Sequence, residues 1–460
     1  MKLIFTLLFT FFIFNANAKD VNLNKGFSPP DSTSSIIDRT ASIYLLEEGK
    51  KAFVQGQMRT ALRRFREAYV RDQYSSKAAY WIGEAHYKMD NFGYALKYAK
   101  ISEALASELD GDLLFLMGKA YHRENKLDSA KLKYEQANLI LSNAKKKVFN
   151  IQFLMDEVSF ADSVSKLANV YGKNLFNSEI NSGYDDYNIV ISNDGKEAYF
   201  VSRRPNTKGG NINPEDQRYF EDVYITKWNE IENDWGEATN EIERLNSEGF
   251  DAVNYMNSDG TEVYMTINTS IIDVNNQTKS SDICTAKKTK EDRWSTPRPI
   301  QNKTINTSFF DGAPTLTADG NTMYFVSDRD GAKTQSDIFV VYKDGRNWGE
   351  AKKLPMNVNT ESNETTPFVT ADGRFLFFSS NGYTGMGGYD IYVSENKGNE
   401  WSKPINLGAD FNTVNYDIFF KYYEEMKKAV VSTFRIQGNK SSMDIFEMML
   451  EGWEIPVAKN

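Results

Sequence analysis

Five aspartates are the side chains of this sequence best suited to acid–base chemistry, and they share one local pattern. Each precedes Ile or Val and, in four of the five cases, then an aromatic residue; they are Asp222, Asp282, Asp337, Asp390 and Asp444. Glycoside hydrolysis needs two carboxylates with different roles. A carboxylate that recurs in register instead indicates a structural position used once per repeat. We therefore expect these carboxylates to accept hydrogen bonds at a repeated corner of the fold.

The other residues that could do chemistry form no recognisable set. The chain has two histidines, His86 and His122, and one cysteine, Cys284, so no intramolecular disulfide and no cysteine-based metal centre can form. Four arginines between residues 184 and 457 could bind a carboxylate in a sialidase-like site, although no motif connects them: Arg203, Arg204, Arg329 and Arg374. A glycan-acting enzyme stays an alternative. The sequence predicts no catalytic residue, no cofactor and no metal ligand.

Charge and length restrict the class of protein. The 460 residues include 54 Lys and Arg against 63 Asp and Glu, which gives a net charge of −9. Binding to nucleic acid requires a basic footprint, so no nucleic-acid partner is expected. The length is that of about three units, and 13% aromatic residues favour a β-rich portion.

Residues 1–18 at the N-terminus are predicted to be a cleaved signal peptide. Met1-Lys2 is followed by an apolar run over residues 3–14 and then by Ala16-Asn17-Ala18, a small-x-small cleavage pattern. Twelve apolar residues are too few to span a bilayer, and no later stretch is long enough, so no transmembrane segment is expected. Residues 19–40 are rich in Asn, Ser, Pro and Asp and are predicted to be a flexible lead-in.

Residues 41–147 repeat with a helical period. Gly49, Gly83 and Gly118 are 34 and 35 residues apart; an alanine follows each after twelve residues, and Phe65, Ala99 and Tyr134 follow four residues later. This resembles the tetratricopeptide repeat, in which small residues let two helices approach closely. The resemblance implies three helical hairpins. Residues 148–183 are predicted to be a capping helix and connector.

The resemblance also implies a concave groove that binds peptides or partner helices. The groove positions, on the first helix of each repeat, are Lys50, Phe53, Lys77, Tyr80, Glu84, Tyr87, Asp112, Phe115, Lys119 and His122. An aromatic floor with mixed charges suits protein recognition. The alternative is that these residues cover a face of the solenoid that docks on the chain's own downstream domain.

Residues 184–457 repeat with a strand period. Four Asp-Gly turns begin at Asp194, Asp259, Asp319 and Asp372, and each unit later carries a tryptophan that lies 24 or 25 residues before the next turn. The fifth unit has Glu425-Met426 in place of Asp-Gly. The units are joined by similar phrases: Glu179-Ile-Asn-Ser, Lys303-Thr-Ile-Asn-Thr and Met356-Asn-Val-Asn-Thr.

These repeats resemble the WD40-like (PD40) propeller repeats of the TolB type. The predicted fold class is therefore α plus all-β, with a tetratricopeptide-like α-solenoid followed by a five-bladed β-propeller. Residues 150–183 lack the marks of a sixth blade and either connect the domains only or also supply a strand that closes the ring. We expect a fragment that begins at Ser178 to fold without the helices.

Two long loops break the regularity of the propeller units. They lie within Arg203–Glu221 and Asn268–Ser281 and emerge on one face. Long loops on a rigid scaffold often carry binding residues. The first loop is basic and aromatic, and the partner-binding residues predicted in it are Arg203, Arg204, Arg218, Tyr219 and Phe220. The alternative is an insertion without a role.

The order of signal peptide, helical repeats and propeller is similar to that of envelope proteins of the Bacteroidota, some of them associated with type IX secretion and gliding motility. The resemblance implies a non-enzymatic periplasmic scaffold, peripheral to the outer membrane, that binds envelope proteins or peptides. Relatives often continue into an OmpA-like domain, whereas this sequence stops at Asn460, so peptidoglycan binding is not expected. The alternatives are a glycan-acting propeller enzyme and a TolB-like module that binds a lipoprotein.

Overall fold

The structure, a computed structural model, describes residues 34–458 apart from 109, 168, 214, 215, 217, 243, 269–280, 292, 331–334, 399, 438 and 439. The signal peptide predicted at residues 1–18 and most of the lead-in lie outside the described residues. Within them, no helix is both long enough and apolar enough to cross a membrane.

The first part of the chain forms three antiparallel helical hairpins and two further helices. The elements are α1 (Ile36–Val54), α2 (Met58–Arg71), α3 (Ser76–Lys88), α4 (Phe92–Leu105), α5 (Gly111–Arg123), α6 (Leu127–Ile140), α7 (Asn143–Phe149) and α8 (Ile151–Ser165). Gly49 and Gly118 explain the repeated pattern, because a Cβ there would lie 2.4 Å and 2.6 Å from the rings of Phe65 and Tyr134. The helical prediction is confirmed.

The helices begin earlier than the predicted boundary. The lead-in was expected to reach residue 40, but α1 starts at Ile36 because the Ser35 hydroxyl accepts a hydrogen bond from the Asp38 amide at 3.0 Å and caps the helix. At the other end, Asn150 adopts φ 48° and separates α7 from α8. The ring of Phe149 in α7 stacks on Phe115 with 4.2 Å between centroids.

The second part forms five antiparallel sheets that follow one another as the blades of a propeller. Blade 1 holds β2 (Asp186–Ile191), β3 (Glu197–Ser202), β4 (Asp222–Asn229) and β5 (Asp234–Trp235); blade 2 holds β6 (Phe250–Met256), β7 (Glu262–Asn268), β8 (Asp282–Lys287) and β9 (Arg298–Pro299); blade 3 holds β10 (Asp311–Leu316), β11 (Thr322–Ser327), β12 (Asp337–Asp344), β13 (Asn347–Trp348) and β14 (Lys352–Lys353). Blade 4 holds β15 (Glu364–Val369), β16 (Phe375–Ser380), β17 (Asp390–Glu395) and β18 (Ile405–Asn406), and blade 5 holds β19 (Asp417–Tyr423), β20 (Lys428–Gln437), β21 (Lys440–Met449) and β1 (Asn174–Leu175). The predicted five-bladed propeller is confirmed.

The segment before the propeller closes the ring. β1 pairs antiparallel with β21, with Asn174 opposite Glu447 and Leu175 opposite Phe446. The adjoining Phe176 is 5% exposed and packs in the core between blades 1 and 5. A fragment that starts at Ser178 lacks this strand of blade 5, and its folding without the helices stays a prediction.

A repeated asparagine joins each blade to the next. Its amide accepts a hydrogen bond from the backbone N–H and donates one to the backbone C=O of the Ile or Val that follows each patterned aspartate. The pairs are Asn181 with Ile445, Asn246 with Val223, Asn306 with Ile283, Asn359 with Ile338, and Asn412 with Ile391. The side chain thus substitutes for a strand partner at the junction between blades. We call this contact the asparagine bridge.

The residue after each bridging asparagine fixes the start of the next inner strand. A serine or threonine donates its backbone N–H and its hydroxyl to a carboxylate four residues later. The five pairs are Ser182 with Asp186, Ser247 with Asp251, Thr307 with Asp311, Thr360 with Glu364, and Thr413 with Asp417. Burial raises the pKa of Asp251 and Glu364 to about 7. These carboxylates act in the fold, once per blade.

Loss of one asparagine bridge should destabilise the propeller strongly. Asn359 is fully buried and bonds Ile338 N, Ile338 O and Leu354 O at 2.8–3.0 Å. Asn359→Ala leaves these groups buried without that partner, and we expect a loss of about 3 kcal/mol in the free energy of unfolding. Chemical denaturation measures it. Asn193→Ala removes one exposed hydrogen bond to Ser258 O, and a comparable loss there would contradict the prediction.

The closing strand should determine whether the propeller is stable alone. Fragment 169–460 keeps β1 and Phe176, whereas fragment 178–460 lacks both. We expect the shorter fragment to melt roughly 5 °C lower or more, because it loses a buried aromatic side chain and a strand. Circular dichroism melts of the two fragments provide the comparison. Since both expose the same helix-docking face, equal melting temperatures would mean that β1 does not close the ring.

Candidate functional site

The turn between α3 and α4 inserts into the propeller. Phe92 is 1% exposed, and its ring lies 5.7 Å from that of Phe434 and 6.4 Å from that of Tyr416. The hydroxyl of Tyr416 donates to Asp90 Oδ1 at 3.2 Å, and the hydroxyl of Ser441 donates to the Asp90 carbonyl at 2.7 Å. An aromatic side chain surrounded by polar contacts of this kind fixes the orientation of one domain on the other.

The end of α5 makes a second set of contacts, with blade 4 and the start of blade 5. His122 Nε2 lies 2.8 Å from the Met386 carbonyl and Arg123 Nη1 donates to the Val414 carbonyl at 2.7 Å. Met386 and Val414 also pack against Ala161 of α8. A Cβ at Gly387 would lie 2.0 Å from the Val414 carbonyl oxygen, so the glycine-rich loop of blade 4 allows this close approach.

The interface buries ionisable groups of both signs. Burial raises the pKa of Asp90 to about 6 although Arg218 lies 4.0 Å away, and burial raises the pKa of Glu157 well above its usual value. Burial, with the Arg123 charge adding to it, lowers the pKa of His122 to about 3. His122 is therefore neutral and its Nε2–H donates to the Met386 carbonyl. The domain contact is sensitive to protonation.

The predicted groove residues divide into two groups, and the inner group is covered. His122 is 2% exposed at the propeller contact, and Phe115 is 6% exposed beneath Phe149. Tyr87 packs against Phe92 with 5.1 Å between ring centroids, and Asp112 binds Lys145 of α7 at 2.6 Å. A partner cannot reach His122 or Phe115 in this arrangement, because the propeller and α7 occupy that part of the groove. His122 thus contacts the chain's own propeller, whereas Phe115 and Asp112 contact α7 of the helical part.

The outer group forms a partly exposed aromatic surface centred on Trp81, which sequence reasoning missed. The rings of Phe53 and Tyr80 lie 5.5 Å and 5.4 Å from the Trp81 ring, and Lys50 Nζ lies 5.5 Å above it. Lys77 is exposed on the same helix. We call Lys50, Phe53, Lys77, Tyr80 and Trp81 the open surface. The sequence feature that could have identified Trp81 is that it directly follows Tyr80, a predicted groove position in α3.

Glu84 and Lys119 separate the covered group from the open surface. Tyr80 donates its hydroxyl hydrogen to Glu84 Oε1 at 3.2 Å, and Lys119 Nζ lies 3.5 Å from the same oxygen. The Lys119 ammonium also lies 4.4 Å above the Tyr87 ring. These contacts connect the open surface to the interface.

The basic loop of blade 1 faces inward rather than toward a partner. Arg203 is 1% exposed, donates to the Tyr219 carbonyl at 2.6 Å and pairs with Asp216 at 2.7 Å. Arg204 donates to the carbonyls of Glu179 and Ile180.

Two more side chains of that loop take part in the domain contact. Arg218 pairs with Asp185 at 2.7 Å, and Phe220 is buried beside Phe250. The prediction of a partner surface on this loop is corrected. The loop uses four of the predicted side chains for its own fold and for docking the helices: Arg203, Arg204, Arg218 and Phe220. The Tyr219 ring is half-buried and packs against Tyr184. Residues 269–280 of the second loop lie outside the described residues.

The patterned aspartates have the structural role predicted for them where contacts are resolved. Asp222 accepts from Lys208 N at 2.7 Å and Asn240 Nδ2 at 2.8 Å, and Asp390 accepts from Met386 N and Asn406 Nδ2. Asp337 pairs with Lys353 and Asp444 with Arg435. In the described ranges, no three His, Cys, Asp or Glu side chains lie together as a metal site would require.

No protein-family profile matches the chain, and no curated protein matches it. Among solved structures, the helical part is similar to the first tetratricopeptide domain of Spaghetti (RPAP3) bound to the HSP90 peptide SRMEEVD, with 22% identity over 27% of this chain and 98% of that chain and a TM-score of 0.25. The propeller is similar to an α-L-arabinofuranosidase from Lactobacillus brevis (12% identity, 59% and 92% of the two chains, TM-score 0.36). It is also similar to an exo-β-1,3-galactanase from Clostridium thermocellum (12% identity, 60% and 64%, TM-score 0.33). Because the TM-scores are below 0.5, these structural similarities do not indicate an activity.

Acid should weaken the fold through His122. A histidine whose pKa is lowered by folding stabilises the fold above its unfolded pKa, about 6.5, and this stabilisation is lost as pH falls toward its folded pKa, about 3. We expect His122 to account for roughly 2 kcal/mol of destabilisation between pH 7 and pH 4.5. His122→Gln can still donate to the Met386 carbonyl but cannot be charged.

The measurement is the stability difference between His122→Gln and the wild type as a function of pH. Carboxylates with raised pKa, Asp90 among them, act in the opposite direction but are common to both proteins and cancel in that difference. The stability of the variant relative to the wild type should increase as pH falls. Parallel stability curves would contradict the assignment of His122 as a buried neutral donor.

Proposed function

We propose that this chain is a non-enzymatic protein-interaction scaffold of the cell envelope. In this proposal it is exported to the periplasm by residues 1–18 and serves an envelope assembly such as the type IX secretion or gliding machinery. The observation that carries the proposal is the division of the helical face. Its inner part contacts the propeller, and its outer part, centred on Trp81, stays partly exposed and carries aromatic and basic side chains.

The interface supports a scaffold because it joins the two repeat domains through buried contacts. Phe92, His122 and Arg123 are fixed at three points of the propeller face. Aromatic residues held in place lose little conformational entropy when a partner binds, so a rigid aromatic surface is a favourable binding site. The open surface is therefore the partner site that the geometry supports best.

The occupied propeller face is an argument against the glycan-acting alternative. Enzyme pockets are concave and accessible to the substrate. Here Asp90 and Phe92 of the helical part pack on the propeller beside Arg218 of the blade 1 loop. The buried carboxylates at the inner strands, such as Asp251 and Glu364, already accept two hydrogen bonds each from Ser247 and Thr360.

The test is partner capture in the native envelope with a charge-matched control. Lys50→Glu/Lys77→Glu alters the open surface, and Lys131→Glu/Lys147→Glu makes the same charge change at exposed positions elsewhere on the helices. We expect the first double variant to recover at least about fivefold less of the specific partner than the control, since it loses two favourable charges at the contact. Quantitative mass spectrometry of tagged full-length chains measures this.

Fractionation of the same cells tests the location. The proposal requires the chain in the periplasmic fraction with Lys19 as its first residue. Equal capture by both double variants would remove the open surface from the proposal, and hydrolysis of a glycan panel by the purified chain would favour the enzyme alternative.

A further inference from the structure

The second helix carries a concentration of positive charge on an acidic protein. Between Met58 and Arg71, α2 contains five arginines and one glutamate, while the whole chain has a net charge of −9. The arginines are Arg59, Arg63, Arg64, Arg66 and Arg71. They lie outside the open surface, which is built from α1 and α3.

A groove of about 880 Å³ runs between α1 and α2 beside these arginines. Asp38, Glu67 and Arg71 contribute to its lining, and the two carboxylates pair with Arg71 and Arg64. Its apolar lining includes Leu45, Leu62 and Val70, and its remaining basic lining includes Arg59, Arg63 and Arg66. We call these six residues the basic groove. Val70 is 72% exposed, and the Arg63 side chain is 63% exposed. From Arg59 to Val70 the groove follows the helix for about 17 Å, which is about three helical turns.

Part of this charge is not neutralised within the fold. Arg64 pairs with Glu67 at 2.8 Å and Arg71 with Asp38 at 3.3 Å. Arg63 reaches Glu67 only at 4.0 Å, and Arg66 contacts the ring of His86 at 3.3 Å. Across the portion of the chain that the structure covers, no carboxylate pairs with Arg59. A guanidinium has five N–H donors, so these side chains can still bind carboxylates.

The helical repeat does not require these arginines. The positions equivalent to Arg59, Arg63 and Arg66 are Gly93, Lys97 and Lys100 in the second repeat and Asp128, Leu132 and Glu135 in the third. All three hairpins fold alike. Two of the three positions stay basic in the second repeat and none does in the third, so the hairpin does not require this charge. Arginine at all three positions occurs only in the first repeat.

We propose that the basic groove binds an acidic, amphipathic helix of a partner protein. Three observations favour this occupant. The walls complement carboxylates, which arginine binds in bidentate geometry. The floor between them is apolar and would take one aliphatic face of a helix. The length matches about three helical turns. A membrane surface would not need a groove with an apolar floor, and a chain with net charge −9 is poorly suited to a polyanion.

The experiment uses the full mature chain and a defined probe. The probe is a fluorescein-labelled helical peptide of about 16 residues with Leu on one face and Glu beside it. Binding is measured by fluorescence anisotropy at low ionic strength. We expect Arg59→Glu/Arg63→Glu to weaken binding by about tenfold or more, and a peptide with Lys in place of Glu to bind this variant better than the wild type. Added salt should weaken wild-type binding.

The matched control is Lys97→Glu/Lys100→Glu, which makes the same charge change at two exposed positions of α4. It should change the affinity by less than about threefold. Thermal melts confirm that both variants fold. Equal losses in the two variants, or no binding of the peptide, would overturn the proposal. Two other results would overturn it as well: preferential binding to anionic phospholipid vesicles, or a dimer of this chain that Arg59→Glu/Arg63→Glu dissolves.

Discussion

The asparagine bridge is the contact on which the propeller depends. Adjacent blades pack face to face, so the backbone of one blade has no strand partner in the next, and its polar groups at the junction need other partners. An asparagine side chain has the donor and acceptor of a peptide group and can supply both at once. Asn359 does this for Ile338 while its neighbour Thr360 holds Glu364 at the start of the next strand. One short segment thus joins two blades and sets the position of the second.

The same arrangement explains why the propeller can carry the helices. The bridge at Asn412 fixes Ile391 to the segment that leads into blade 5, and that segment contains the Val414 carbonyl bound by Arg123. Asn181 fixes Ile445 in the same way, next to β1 and close to the chain that leaves α8. The helices therefore dock on parts of the propeller that its own closure already holds in place. Buried charges such as Asp90 are tolerated there because Arg218 and Tyr416 face the carboxylate.

The sequence predicted the two repeat architectures because the residues that set each repeat period act locally, within one repeat. Small residues at Gly49 and Gly118 mark where an aromatic ring of the second helix lies, and the Asp-Gly turns mark the first hairpin of blades 1 to 4. In the fifth unit, Lys427 takes the positive φ of 47° that glycine adopts elsewhere. The bridge was visible as the repeated phrases at Asn181, Asn306 and Asn359, but its role required knowing which strand faces the side chain. Docking of α5 on Met386 joins residues 264 positions apart, and no local pattern reports such a contact.

Residues that occur once in a repeat protein need a second criterion before they are assigned a function. Arg218 and Arg59 both break the repeat and both are basic. Arg218 is used within the molecule, because its guanidinium lies 2.7 Å from Asp185 and reaches Asp90 across the domain contact. Arg59 is exposed and lines a groove with an apolar floor. Departure from the repeat therefore identifies residues that do something particular, and their internal partners decide whether that task is assembly of the molecule or recognition of another one.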